Sequence, residues 1–295
     1  MHILVSGSSG FVGSALNSIL TSAGHRVTPL VRERSQRGIY WDPQAGIIDQ
    51  SALEGIDAAI HLAGENIAGG RWTAARKERI LSSRVRGTKL LSEALCRLSR
   101  TPHVFVSASA IGYYGDRGSE VLREDSAPGT GFLSGVCRQW EESAEMAVDS
   151  SIRVVHPRIG IVLGSRGGAL PKMMLPFKLG VGGRIGSGRQ YMSWITIDDL
   201  VQAIVHCLGD SNIRGPVNVV SPSPVTNAEF TKTLGRVLTR PTIFPLPAFA
   251  ARLAMGEMAD ALLLSSARVE PAKLLSSRFK FRHQNLEDAL RAVIG

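Results

Sequence analysis

Three glycines, Gly7, Gly10 and Gly13, stand at G-x-x-G-x-x-G spacing, directly after an apolar run and at the start of a helical pattern. The first glycine permits a tight turn, the second lets the backbone approach a pyrophosphate, and the third lets the new helix pack closely on the strand. The free amides at the helix start then face the anion. In this strand–turn–helix setting the pattern reads as a dinucleotide-binding turn. The end of the next strand selects the dinucleotide. In Val31-Arg32-Glu33-Arg34, Arg32 stands where an NAD site holds an acid for the ribose 2′-hydroxyl. A guanidinium matches a 2′-phosphate in charge and geometry. The sequence therefore predicts NADP(H) as cofactor, with a solvated arginine as the alternative role of Arg32.

The elements that must hold this turn follow from hydrophobic pattern. Ile3–Ser6, Arg26–Val31, Ala58–Leu62, Val104–Ser107 and Arg153–Val155 are short, apolar and mostly bounded by Gly, Pro or Asp, which predicts buried strands. Helical patterns over Phe11–Ala23 and Thr73–Ser99 lie between them, and this alternation predicts βαβ units and a parallel sheet. The second half is less regular. Gly164 to Gly188 is dense in glycine, with two prolines, and reads as loop. Pro216–Val220 is a further candidate strand. Thr226 reads as the cap of a helix over Asn227–Leu238, and Phe249–Leu264 and Leu286–Ile294 read as helices. Asp198-Asp199 starts a helix and reads as its caps, not as a catalytic pair. The predicted fold class is α/β: a Rossmann-type doubly wound parallel sheet over 1–165, with a smaller C-terminal α/β substrate lobe and helical segment over 166–295, interleaved with the core sheet.

The chain resembles the extended short-chain dehydrogenase/reductases. The resemblance rests on the glycine turn, on Asp57-Ala58-Ala59-Ile60-His61-Leu62-Ala63-Gly64, and on Tyr114-Gly115 after the fourth strand. Further segments narrow it to the atypical SDR39U1- or YfcH-like epimerase branch. They are Gly64-Glu65-Asn66-Ile67-Ala68, Arg71-Trp72, Ala110 to Gly115, Gly186-Ser187-Gly188-Arg189-Gln190 and Trp194-Ile195, with a DUF1731-type C-terminal segment from Leu246-Pro247 to Leu290. The resemblance implies that Phe11 and Val12 lie over the pyrophosphate. It also implies that Leu62, Ala63 and Gly64 line the path from adenosine to nicotinamide, with Ile161 near the nicotinamide. The same residues have a plain core-packing role by periodicity.

Ordinary members of that superfamily use Asn, Ser or Thr, Tyr and Lys. The tyrosine is the acid/base, and the lysine lowers its pKa and orients the nicotinamide ribose. The Asn place holds Arg84 here. With Glu141 as the reference position on the next helix, the Tyr and Lys places hold Leu133 and Cys137, and no Tyr-x-x-x-Lys occurs anywhere. Ser109, or Ser107, fills the serine place. Tyr113 and Tyr114 follow at the ligand edge of the sheet, so Ser109, Tyr113 and Tyr114 are the candidate catalytic residues, with lining or packing as the alternative for the tyrosines. Arg84 is a candidate for a cofactor phosphate or an anionic substrate. Glu65, Arg189 and Tyr191 are candidates for substrate contact, with Gly180–Gly188 as a lid. Cys137 reads as a buried filler, because nothing near it in sequence lowers its pKa.

Composition bounds the rest. The 295 residues are 44% apolar and 20% charged, which excludes disorder as the main state. Cys96, Cys137 and Cys207 are too few and too scattered for a disulfide scaffold, and no Cys/His spacing indicates a metal site. The formal charge of +9 comes from scattered basic residues without interleaved aromatics, so nucleic acid is not the expected partner. No apolar stretch reaches membrane-spanning length, because Phe244–Leu264 is broken by Arg252, Glu257 and Asp260. With no signal-like start, a cytoplasmic setting is expected. The expected partner is a small, anionic or nucleotide-linked substrate. A homodimer through Thr73–Ser99 and Val136–Val148 is an expectation by analogy. Two functions stay open: an NADP(H)-dependent oxidoreductase or epimerase-like enzyme with a non-standard acid/base set, and a catalytically silent NADP(H)-binding sensor or interaction protein.

Overall fold

Strand β1 (His2–Ser6) turns Ile3 and Val5 into one core and Leu4 into another, all fully buried. A strand buried on both faces belongs to a sheet covered by helices on both sides. The structure, a computed structural model, describes residues 1–295. The first part continues through α1 (Phe11–Ser22), β2 (Arg26–Val31), β3 (Ile39–Asp42), β4 (Ile47–Ile48), β5 (Ala58–His61), α2 (Ala74–Cys96), β6 (Val104–Ser107) and β7 (Ser109–Ala110). Next come β8 (Val121–Leu122), α3 (Phe132–Glu142), α4 (Glu145–Asp149), β9 (Arg153–Ile159) and β10 (Ile161–Leu163). The remainder adds α5 (Leu170–Lys178), β11 (Tyr191–Met192), β12 (Trp194–Thr196), α6 (Ile197–Gly209), β13 (Gly215–Val219), β14 (Val225–Thr226) and α7 (Asn227–Leu238). It ends with α8 (Ala248–Met255), α9 (Glu257–Ala259), β15 (Arg268–Val269), α10 (Ala272–Ser276) and α11 (Leu286–Ile294).

The main sheet runs β13-β9-β6-β5-β1-β2-β3-β4, with β7 paired beside β9. Every pairing in it is parallel except β3 with β4. The chain moves outward from β1 to β2 and β3, then returns to the other side of β1 as β5. The reversal opens a crevice past the carboxyl ends of β1 and β5, where such sheets bind ligands. Ser6 and His61 are the paired last residues of those two strands.

The C-terminal part completes this sheet as well as building its own lobe. β13 forms the far edge beside β9. Leu200, Ile204 and Cys207 of α6 share one core with Ile3, Val5 and Leu16. Residues 1–165 therefore do not close the sheet alone. The smaller lobe has its own core, from Leu163, Leu170, Met174, Trp194, Phe230 and Leu290.

Three local expectations are corrected. The glycine-dense Gly164–Gly188 stretch contains a helix, α5, whose Leu170, Met174 and Phe177 are buried at i, i+4 and i+7. Proline at the helix start is tolerated, and apolar periodicity outweighs the glycines around it. Phe249–Leu264 is not one helix. It stops at Gly256, whose φ of +62° leaves the helical region, and resumes as α9 and a π-helical turn over Asp260–Leu264. Asp198 and Asp199 lie in the first turn of α6, and its cap is Thr196, which accepts from the Asp199 amide. The buried Asp199 carboxylate accepts from the amides of Arg282 and His283, tying the C-terminal loop to the sheet. No helix is long and apolar enough to cross a membrane.

Candidate functional site

The glycine turn is closed by backbone against backbone. A Cβ on Gly13 would lie 2.1 Å from the Gly7 carbonyl oxygen, and one on Gly7 would lie 2.9 Å from the Ala63 amide nitrogen. Gly7 also has φ +69°, a region that costs other residues steric strain. No side chain caps α1, and its first helical amide bonded within the chain is that of Ser14, to the Gly10 carbonyl at 2.8 Å. The amides of Phe11, Val12 and Gly13 therefore remain to face an anion at the positive end of the helix. The Phe11 ring lies under the loop after β10, where Cβ atoms on Gly164, Gly167 and Gly168 would come within 2.3, 2.5 and 3.2 Å of it. These three glycines give Phe11 its seat, a role their loop-like composition conceals.

A buried polar clip joins the ends of β1 and β5. Ser6 Oγ stands 2.5 Å from His61 Nδ1 and accepts from the amides of Leu62 and Ala63 at 3.2 and 3.3 Å. Its own proton therefore goes to Nδ1. His61 Nε2 has no hydrogen-bond partner. The ring meets Trp41 edge-on at 5.7 Å. Burial, with the Arg84 charge adding to it, pushes the imidazole down to about 3. The unfolded chain then binds one proton more than the folded chain between pH 6.5 and about 3. This contribution to stability is full above 6.5 and falls with pH across that window, by about 1.4 kcal/mol per unit. Urea denaturation at pH 7.5 and pH 5 should show wild type losing about 2 kcal/mol more than His61→Gln. Equal losses would show that His61 does not stay neutral in the folded chain.

Arg32 directly follows β2 and is exposed. Its neighbours are engaged: Glu33 accepts from Gln36 at 3.2 Å, and Arg34 lies 4.2 Å over the Tyr40 ring. Arg32 has no acidic partner within the chain. Leu62, Ala63 and Gly64 leave β5 at the same edge. Arg84 closes behind them, its guanidinium 3.2 Å from where a Gly64 Cβ would stand. It donates to the carbonyls of Glu65 and Ile80 at 3.0 Å and stacks over Trp140 at 5.0 Å. Burial holds it below the usual arginine range. Arg84 thus organises the loop after β5, with no carboxylate on it. Ile161 begins β10 beside Trp194, half-buried against the lobe core.

The polar candidates separate sharply. Tyr114 is fully buried. Its hydroxyl lies 2.6 Å from Asn218 Oδ1 and 2.9 Å from the Arg123 carbonyl oxygen, and accepts from Arg158 at 3.0 Å. Burial pushes it up to about 12. Tyr114, a candidate catalytic residue by sequence, thus fastens β13 to the turn after β7. Ser109 is also buried and donates to Glu141 at 2.6 Å. That carboxylate forms a two-pronged pair with Arg158 at 2.8 Å on each prong. Burial works against the Arg158 charge, but Glu141 holds the guanidinium above its usual range. Tyr113 differs: its ring lies 3.4 Å under Arg158, while its hydroxyl makes no bond within the chain and is not sealed from solvent. The Glu141–Arg158 pair was the residue set that sequence reasoning missed, since Glu141 served there only as a register mark.

The Tyr and Lys places meet the same turn. A Cβ on Gly112 would lie 3.3 Å from Leu133 Cβ and 3.7 Å from Cys137 Sγ. Cys137 is buried and pushed up to about 12 by burial and then by Glu141, so it is a thiol and a filler. Beside Leu133, Phe132 meets Trp72 edge-on at 5.1 Å. Glu65 lies 3.4 Å from Arg76. Arg189 is exposed on the lobe and has no acidic partner. Tyr191 is half-buried, with Arg268 5.1 Å over its ring, a neighbour the sequence did not suggest. The structure brings the glycine turn, Leu62–Gly64 and Arg84 to one edge, while Arg189 and Tyr191 stand on the smaller lobe.

The chain is similar to known proteins over its whole length. The NAD dependent epimerase/dehydratase family matches residues 3–219, and the domain of unknown function DUF1731 matches residues 246–293. Epimerase family protein Mb2239 of Mycobacterium bovis is 42% identical over 290 residues, 98% of this chain and 96% of its own. Human epimerase family protein SDR39U1 is 37% identical over 297 residues, 100% of both chains. The crystal structure of human SDR39U1 isoform 2 with NADPH matches at TM-score 0.93 and 36% identity, covering 100% of this chain and 99% of that one.

Proposed function

The chain belongs to the NAD dependent epimerase/dehydratase family, and from that premise we propose that it is an NADP(H)-dependent oxidoreductase that works without a Tyr–Lys dyad. The observation that carries the cofactor choice is Arg32, unpartnered at the end of β2 while Glu33 and Arg34 are both engaged. The likeness to a human protein solved with NADPH supports the same choice. The residues fit the cofactor: Gly7 and Gly13 let the turn close on its own backbone, and the amides of Phe11 to Gly13, free of partners within the chain, would face a pyrophosphate. Arg32 would hold the 2′-phosphate. Leu62, Ala63 and Gly64 would line the path toward the reacting end, with Arg84 bracing their loop and Ile161 toward the nicotinamide. When bound, the nicotinamide supplies or accepts a hydride.

The chain's own groups position and shield. Ser109 is committed to Glu141, and Tyr114 to Asn218 and the Arg123 carbonyl, so neither is free to move a proton to substrate. The substrate is small and anionic or nucleotide-linked, approached by Glu65, Arg189 and Tyr191. Pairing of two copies through α2 and Val136–Val148 belongs to this reading, with Met146 and Val148 exposed there. A catalytically silent NADP(H) binder is the second reading, favoured by Leu133 and Cys137 closing on Gly112.

The test of the cofactor assignment is Arg32→Ala. A charge-assisted contact to phosphate is worth about 1.5–3 kcal/mol, so NADPH should bind roughly 10- to 150-fold more weakly. NADH affinity should stay within about twofold, as measured by titration calorimetry. An unchanged preference for NADPH would remove Arg32 from the site.

A further inference from the structure

We propose that one face of the smaller lobe docks on an anionic phospholipid bilayer, lying on its surface without crossing it. Eight of the fourteen large apolar side chains exposed in the whole chain fall within 175–181 and 243–253, so the exposure is concentrated in one region. In α5 and at its end, Leu175 and Leu179 stand exposed at i and i+4, while Met174 and Phe177 are buried in the lobe core. In α8, Phe249 and Leu253 do the same, 72% and 78% exposed, while Ala251 is buried. Residues at i and i+4 share one side of a helix. In the strip leading into α8, Ile243 and Phe244 are exposed as well. Backbone joins the two segments. The Leu246 amide donates to the Arg184 carbonyl at 2.9 Å, and the Gly186 amide to the Leu246 carbonyl at 2.8 Å. A Cβ on Gly183 would strike the Phe244 carbonyl, so the strips run in direct contact.

Charge selects the occupant. Residues 150–197 and 230–256 contain no Asp or Glu. Within them, 166–189 and 230–256 carry nine Lys and Arg, which equals the +9 of the whole chain. Only Arg236 and Arg252 of the nine find an acidic partner. Lys178, Arg184 and Arg240 are exposed and have none. Lys178 precedes Leu179, Arg184 bonds to Leu246 through its backbone, and Arg240 stands three residues before Ile243. A charge that looks scattered along the chain is thus carried by the lobe with the apolar face. An apolar face beside uncompensated cations matches acyl chains beneath acidic headgroups. A second copy on the same face would set those cations against one another. Nucleic acid offers the anionic charge, but Leu175, Leu179, Ile243 and Leu253 cannot stack on bases.

The experiment is cosedimentation of the full chain with sucrose-loaded vesicles, alongside sedimentation equilibrium without lipid. Vesicles of phosphatidylcholine with about one third phosphatidylserine should bind the chain at least about tenfold more tightly than phosphatidylcholine alone. Raising NaCl from about 0.1 M to about 0.5 M should shrink that preference, because salt screens the charges. Phe249→Ser with Leu253→Ser should weaken binding to the acidic vesicles by at least about tenfold. Lys178→Gln with Arg240→Gln should weaken it by about tenfold or more, and leave binding to neutral vesicles unchanged. All four positions are exposed, so the midpoints of urea unfolding should not move. No binding to acidic vesicles, or binding that Phe249→Ser with Leu253→Ser leaves unaltered, overturns the proposal. A lipid-free dimer that the same double variant dissociates would show a second copy on this face, and also overturns it. A single-stranded DNA oligonucleotide bound more tightly than acidic vesicles, and lost in that variant, would assign the face to nucleic acid instead.

Discussion

Replacing Glu141 with alanine should lower the unfolding free energy by about 3–5 kcal/mol. Arg158, only 3% exposed, is held by both oxygens of the 13%-exposed Glu141 carboxylate. Its other bonds reach only neutral acceptors, the Tyr114 hydroxyl and the Glu124 carbonyl. Removing the carboxylate leaves a buried guanidinium with no opposing charge, which is the costly half of a buried pair. The damage also reaches the candidate site. Ser109 loses its acceptor, and the ring of Tyr113 rests on the same guanidinium. The turn from Ser109 to Tyr114 should therefore loosen with the fold. Denaturant titration checks the loss. Pairing Glu141→Leu with Arg158→Met should recover more than half of it, since a packed apolar pair avoids desolvating any charge. A loss below about 1 kcal/mol for Glu141→Ala would show that Arg158 reaches water.

Gly13→Ala should lower NADPH affinity by about a hundredfold or more. The added Cβ would lie 2.1 Å from the Gly7 oxygen and 2.8 Å from both the Gly7 carbonyl carbon and the Ser8 Cα. These are backbone atoms and cannot swing aside, so the turn must open and α1 must move off β1. Opening the turn removes the amides that face the pyrophosphate. Gly10→Ala is the internal control. Its Cβ would meet the Gly7 oxygen at 3.2 Å, which a small shift relieves, so the loss there should stay near or below about tenfold. Equal effects at the two positions would contradict this order.

The first half of the fold is legible in the sequence because its strands are buried on both faces. Val104–Ser107 runs as an apolar stretch with clear ends, and the structure places a fully buried strand over those same residues. Other features depend on contacts between distant segments. α5 hides among glycines because Gly164, Gly167 and Gly168 serve Phe11 and not the helix itself. The helix expected over Phe249–Leu264 breaks at one left-handed glycine that apolar periodicity cannot register. Tyr114 and Ser109 stand at the right edge of the sheet, but chain position does not say which way a hydroxyl points. Their partners, Asn218 and Glu141, lie 104 and 32 residues away. The pairing of Glu141 with Arg158 joins the end of α3 to β9, and only the fold brings the two together.

The central claim is that this chain holds NADP(H), selected by Arg32 at a glycine turn closed by backbone contact. Titration calorimetry of the wild-type chain with NADPH and, in parallel, NADH tests it most directly. The account predicts one NADPH per chain, bound at least about tenfold more tightly than NADH. Equal affinity for the two dinucleotides, or no binding of either, would contradict it.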